Sequence, residues 1–156
     1  MIRLDVEQGS PEWRAARACI PTASAFGRII PAKTGKLSEG SVGYMHELLA
    51  EWMLGIPLES TSADFMERGK ALEDQAVAYY ELQRGVDTEK VGFVLTDDRR
   101  AGCSPDRFVG NAGGLEIKCP SPGVHVGYLL GGLLDKHRPQ VQGCLWITGR
   151  RWWDTL

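Results

Sequence analysis

The sequence predicts a single α+β domain over residues 1–156, with helices flanking a small mixed β-sheet. Three observations carry this prediction. Apolar residues recur at helical spacing through the first half, short β-like runs separated by turn residues fill the middle, and a further helix and an aromatic strand follow. A length of 156 residues with 43% hydrophobic and 24% charged composition suits one ordinary globular core. No run approaches the ~20 apolar residues of a membrane span, and no signal-peptide pattern opens the chain, so a soluble cytoplasmic protein is expected. Cys19, Cys103, Cys119 and Cys144 lack Cys-x-x-Cys spacing. They read as small buried residues in a reducing compartment rather than as a metal or cluster site.

The elements follow in order. Gly9-Ser10-Pro11-Glu12-Trp13 is a helix start, with Ser10 as N-cap and Pro11 at the first helical position; the helix is expected to end near Ile20-Pro21. A second start falls at Thr22 or Ser24, and 32–36 is a basic loop. Residues 41–54 form an amphipathic helix, with Met45, Leu48, Leu49 and Trp52 on one stripe and Gly55 and Pro57 as the stop. A longer helix runs from about Asp64 to Arg84, its stripe made by Phe65, Leu72, Ala76 and Tyr79 or Tyr80, with Glu73 at the edge. Val91 to Leu95 is a strand. Residues 101–109 and 114–119 are strands of one hairpin, joined through Gly110-Asn111-Ala112-Gly113-Gly114, where Gly and Asn tolerate positive φ. Residues 122–134 are a weak helix or loop, Pro139 opens a helix through Trp146, Gly149 ends it, and Trp152-Trp153 begin a last strand. The coarse order is α-α-α-β-β-β-α-β.

Charge is unevenly spread. Residues 1–36 hold six Lys/Arg against three Asp/Glu (+3), 37–98 hold four against thirteen (−9), and 99–156 hold eight against four (+4), which sums to the net −2. Two positive ends suit a phosphate-lined ligand, while a solvated acidic helical surface accounts equally well for the middle.

The chemistry concentrates on the predicted hairpin. Strand alternation puts Glu116 and Lys118 on one face and Leu115, Ile117 and Cys119 on the other, with Asp106 across from them. Two facing carboxylates repel unless a cation lies between them, and Mg²⁺ takes one or two carboxylates together with water and phosphate oxygens. The set therefore points to a metal-dependent phosphodiesterase. The same residues would also serve as a surface ion network with Asp106 capping a turn. Glu73 is a candidate third carboxylate, and Gln140 and Gln142 could orient water or contact phosphate.

Six segments, Gly9-Ser10-Pro11-Glu12-Trp13 through Arg17, Thr22-Ala23-Ser24, Gly69 to Glu73, Ala101 to Asp106, Gly114 to Pro120, and Gln140-Val141-Gln142-Gly143 with Leu145-Trp146, occur in one order over residues 9 to about 153. In this the chain resembles the lambda-exonuclease (YqaJ-like) family of viral recombination nucleases, within the PD-(D/E)XK superfamily. The resemblance implies that Asp106, Glu116 and the Ile117 carbonyl bind catalytic Mg²⁺ or Mn²⁺, that Glu73 binds a second ion or its water shell, and that Lys118 orients or deprotonates the attacking water, with Gln140 beside it. Arg17 and Ser24 align with residues that hold a 5′-phosphate; apart from the resemblance, the basic character around Arg138 suits a phosphate track and Gln142 is a candidate DNA contact. The resemblance further implies 5′→3′ digestion of duplex DNA ends, a 3′ single strand passed to an annealing protein, a ring-shaped homotrimer, and phage or prophage origin in a bacterial host. Relative to the family the chain is short at its C-terminus, and Lys136-His137-Arg138-Pro139 replaces an aromatic-containing stretch. Alternatives in the same fold are an endonuclease acting on DNA sites or structures and a catalytically silent DNA-end-binding module. An iron–sulfur nuclease is disfavoured by the missing cysteine spacing.

Overall fold

The β-like middle of the chain folds into two small sheets rather than one. The computed structural model describes residues 1–58, 63–131 and 134–156, with side chains described outside 63–71 and 134. Phe65 of the expected helical stripe and the side chains of Gly69-Lys70-Ala71 thus lie outside the described residues, as do residues 132–133. The first half runs β1 (Ile2–Leu4), α1 (Pro11–Arg17), a 3₁₀ turn (Ala23–Ala25), α2 (Phe26–Ile29), α3 (Gly40–Leu54) and α4 (Ala63–Arg84). The second half runs β2 (Thr88–Lys90), β3 (Phe93–Leu95), β4 (Gly102–Cys103), β5 (Arg107–Val109), β6 (Gly113–Glu116), α5 (Pro122–Gly131), α6 (Leu134–Thr148) and β7 (Trp152–Thr155). One sheet has the antiparallel order β1-β3-β4, and the other the order β2-β5-β6-β7. The second sheet is mixed, because β6 and β7 pair in parallel with Leu115 opposite Asp154. The fold class is therefore the predicted α+β.

The expected 101–109 strand is in fact two strands in different sheets. Gly102 and Cys103 pair with β3, Arg107 to Val109 pair with β6, and Ser104-Pro105-Asp106 makes the crossing. Pro105 has no N–H to donate to a ladder, so the strand breaks there and the chain can change sheets. Arg107 stands opposite Leu115, which brings Asp106 beside the end of β6. At Gly114 a side chain is impossible: a Cβ would lie on the Trp153 ring, so this glycine lets β7 close against β6.

Local signals held at several ends. Ser10 Oγ accepts the Trp13 N–H at 3.1 Å, Gly55 adopts φ 69° after α3, and Gly149 adopts φ 67° after α6. Of the two forms expected for 122–134, residues 122–131 take the helical one. Three expectations need correction. Strands β1 and β2 fall outside the expected elements. Pro139 lies inside α6 rather than opening it, tolerated where only one backbone hydrogen bond is lost near the start of the described helix. The stripe Met45, Leu49 and Trp52 is exposed, whereas Tyr44 is the buried side chain of α3, its hydroxyl accepting the Thr22 N–H at 3.0 Å. Of the cysteines, Cys103 and Cys144 are buried as expected, but Cys19 and Cys119 are exposed.

Two apolar clusters hold these parts together. Ala23, Val91, Val94, Cys103, Phe108, Cys144 and Ile147 join α6 to both sheets, and Val77, Tyr80, Val109, Leu115 and Ile117 join α4 to the second sheet. Leu115 and Ile117 therefore face the α4 cluster, as alternation requires, and the polar residues between them are turned toward α6. Among the described residues no helix is long and apolar enough to cross a membrane.

Candidate active site

The end of β6 carries Glu116, and the chain beyond it carries Ile117 and Lys118. Glu116 is only 3% exposed. Its Oε1 accepts the Lys118 ammonium at 2.6 Å and the Gln140 amide at 2.5 Å, and Lys118 also donates to Gln140 Oε1 at 3.1 Å. Gln140 reaches this point because α6 packs against the sheet through Cys144, one helical turn further on. Asp106 Oδ2 accepts the Ile117 N–H at 2.6 Å, which fixes the crossing loop against the strand. Four residues expected at the site, Asp106, Glu116, Lys118 and Gln140, are thus assembled together with the Ile117 backbone.

Two features show that this arrangement has a deficit of positive charge. Glu116 Oε2 is buried and has no hydrogen-bond partner. Burial, and then the neighbouring Glu116 carboxylate, push the Asp106 pKa up from 3.8 to about 7, with Glu73 adding to the rise and the Ile117 N–H and Lys118 opposing it. An orphaned carboxylate oxygen beside a carboxylate that resists ionisation fits the donor set of a hard divalent cation. Asp106, Glu116 and the Ile117 carbonyl would hold it. Among the described residues no group of three or more His, Cys, Asp or Glu side chains is arranged for a metal.

Arg107 was not singled out by the sequence, yet it is the buried cation of the site. It is 7% exposed, and its Nη1 donates to Glu73 Oε1 at 3.0 Å and to the Asp106 carbonyl at 2.7 Å, while Nη2 meets Asp74 at 3.4 Å. Its signal was available: an arginine between Asp106 and the core residue Phe108 on a strand needs a buried acid partner. Glu73 therefore does approach the site from α4, with its carboxylate held by Arg107.

The residues expected to bind phosphate divide between two places. Arg17 lies with its guanidinium 4.1 Å from the Trp13 ring centroid and donates to Ser104 Oγ at 2.9 Å, where the Trp13 indole N–H also donates at 2.9 Å. Ser104 is two residues before Asp106 on the crossing loop, so Arg17 is tied to the segment that carries that carboxylate. Burial lowers the Arg17 pKa, but a guanidinium remains charged at neutral pH. Ser24 is exposed on the 3₁₀ turn and lies 3.2 Å from the Thr22 hydroxyl; no contact joins it to Arg17 among the described residues. Arg138 and Gln142 line a different feature, an apolar groove of about 400 Å³ walled by Phe26, Ile29, Pro139 and Trp146.

His137, a residue of the atypical 136–139 stretch, lies 2.9 Å from the Tyr128 hydroxyl. Burial, then Lys118 and Lys136, lower its pKa from 6.5 to about 4. The native ring stays neutral while the unfolded one takes up a proton below 6.5, so the stability it contributes is complete above that pH and is lost as pH falls toward 4. Urea unfolding at pH 7 and pH 4.5 should therefore show a smaller acid loss for His137→Gln than for the parent. An equal loss would place the acid sensitivity elsewhere.

The fold is of the kind found in phage-type nucleases. The sequence matches the YqaJ-like viral recombinase domain over residues 12–151, and the chain belongs to that family. An alkaline exonuclease from Laribacter hongkongensis superposes with TM-score 0.79 at 30% identity, covering 94% of this chain and 72% of that one. The same enzyme in complex with dAMP gives TM-score 0.79 at 32% identity with the same coverage. A phage-related exonuclease from Haemophilus somnus 129PT shares the fold, with TM-score 0.63 at 17% identity over 88% of this chain and 67% of that one. No curated protein matches the chain.

Proposed function

We propose that this chain is a Mg²⁺-dependent deoxyribonuclease, with Mn²⁺ able to substitute, that removes nucleotides from the 5′ ends of duplex DNA. The observation that carries the reading is the buried, partnerless Glu116 Oε2 beside Asp106, within a cluster that also holds Lys118. The alkaline exonuclease likeness over 94% of the chain supports the same class of reaction. A divalent cation held by Asp106, Glu116 and the Ile117 carbonyl would neutralise charge on the scissile phosphate and acidify water.

The chain's own residues then have distinct tasks. Lys118 has three N–H donors, two of them committed to Glu116 and Gln140, which leaves one to orient the attacking water or meet a phosphate oxygen. Water attacks phosphorus in line, the P–O3′ bond breaks, and the released nucleotide departs with its own 5′-phosphate. The shortened strand keeps a new 5′-phosphate, the group that Arg17, held at Ser104, would receive, with Ser24 on the neighbouring turn. Bidentate geometry suits a guanidinium to that role. Arg138 and Gln142 would follow the strand further out. The exposed apolar residues Trp52, Met53, Leu129 and Leu130 supply area for a homotrimer around DNA, and the single-stranded product would pass to an annealing protein.

The test compares linear duplexes carrying 5′-phosphate or 5′-hydroxyl ends, and a covalently closed circle, with Mg²⁺ and with chelator. Cleavage is expected only of linear DNA with metal, fastest on phosphorylated ends. Arg17→Ala should slow phosphorylated ends by about 10–100-fold, the loss of one charge-assisted phosphate contact, and abolish the preference. Equal parent rates on both ends would remove Arg17 from that role, and digestion of the circle would identify an endonuclease.

A further inference from the structure

From the Arg107 contacts we infer that this chain binds one divalent ion per active site, with Arg107 occupying the electrostatic place of a second. The inference rests on the metal-dependent nuclease reading. Three carboxylates converge on the site, Glu73, Asp106 and Glu116, and two protein cations answer them, Arg107 and Lys118. Glu116 is served by Lys118 but keeps one oxygen without a partner, whereas Glu73 Oε1 is engaged by Arg107 at 3.0 Å. The same Nη1 donates to the Asp106 carbonyl, so the guanidinium is wedged between the helix that carries Glu73 and the loop that carries Asp106.

A second cation on Glu73 would lie beside a buried guanidinium that sits 3.0 Å from the same carboxylate and cannot lose its charge. Like charges at such range in a partly dry site repel strongly. The charge balance also closes without it. Counting Asp74, which also meets Arg107, four carboxylates against two protein cations leave two negative charges, and one dication cancels them. Arg107 is thus a positioning residue: it ties α4 to the Ser104-Pro105-Asp106 crossing and keeps Glu73 from serving as a ligand.

The test is Mn²⁺ titration of the whole protein followed by electron paramagnetic resonance, alone and with a phosphorothioate duplex that resists cleavage. The parent should take up one Mn²⁺ per chain with the hyperfine pattern of an isolated ion. Glu73→Gln should leave that stoichiometry unchanged and shift Kd by no more than about threefold, the influence of a neighbouring charge rather than of a ligand. Arg107→Gln, checked for folding by circular dichroism, should gain a second ion with a spin-coupled signal. Two coupled ions in the parent, one of them lost in Glu73→Gln, would overturn the inference and leave the nuclease reading standing. An Arg107→Gln protein that is folded but still takes one ion would overturn the part assigned to Arg107. No bound Mn²⁺ in the parent, with or without DNA, would instead sink the metal-dependent reading itself.

Discussion

Lys118→Ala is expected to lower the rate of phosphodiester cleavage by about 10²–10⁴-fold, the range for loss of a positioned proton-transfer or charge-stabilising group. The reason lies in how closely its ammonium is held. Glu116 Oε1 and Gln140 Oε1 both accept from it, and Gln140 in turn donates to the same Glu116 oxygen, so the three side chains form a closed ring of hydrogen bonds. Alanine opens that ring and leaves Glu116 buried with neither oxygen facing a cation. The metal-free protein should lose roughly 2–3 kcal/mol of stability, less than the ~3–5 kcal/mol of a fully buried broken pair because Lys118 is 24% exposed. Saturating Mn²⁺ should restore much of that loss, since the ligands themselves are intact. Single-turnover digestion of a 5′-phosphorylated duplex, with Mn²⁺ affinity measured alongside, separates the two effects. A variant that cleaves within about tenfold of the parent would move water activation to another group. Lys118→Arg should not rescue the rate, because a planar guanidinium cannot sit in a ring shaped for a compact ammonium.

What the sequence disclosed and what it withheld follow the range of the interactions involved. Ser10, Gly55 and Gly149 act on their own backbone, so their signals were local and were realised. The alternation placing Glu116 and Lys118 on one face against Leu115 and Ile117 is equally local, and it assembled the site with Asp106. The division of residues 101–109 between two sheets was hidden because it depends on partners: β4 pairs with β3 and β5 with β6, choices made by distant strands. Only Pro105 hinted at a break. The exposed stripe of α3 misled for a related reason. Met45, Leu49 and Trp52 satisfy the helical period, but the helix is oriented by Tyr44, whose hydroxyl is needed by the Thr22 N–H, and by the Arg28–Glu47 ion pair at 2.6 Å. Arg107 was missed because its acid partner is 34 residues earlier, on a helix whose approach to the sheet no local pattern specifies.

Asp106→Asn should abolish tight metal binding and cleavage and yet raise the melting temperature of the chelated protein at pH 8. Asparagine keeps an oxygen for the Ile117 N–H, so the bond at 2.6 Å has an heir, while the charge that burial and Glu116 disfavour is gone. The direction follows from linkage. A carboxyl whose folded pKa is raised from 3.8 to about 7 contributes stability that is complete below the unfolded value and is lost as pH rises through about 7. At pH 8 the parent has lost that contribution and the variant has no such charge to bury, so a gain of roughly 3 °C or more is expected for a domain of this size. Near pH 4 the parent carboxyl is protonated in the fold and the difference should shrink. Added Mg²⁺ should reverse the ranking at pH 8, stabilising the parent by mass action and leaving Asp106→Asn unmoved. The three measurements bind the electrostatic argument to the functional one. If the variant melts earlier than the parent in chelator at pH 8, the ionised carboxylate is supporting the fold rather than awaiting a cation, and the site would be a structural ion network. If it melts later but gains as much from Mg²⁺ as the parent does, the cation binds without Asp106, and Glu116 with the Ile117 carbonyl would have to hold it.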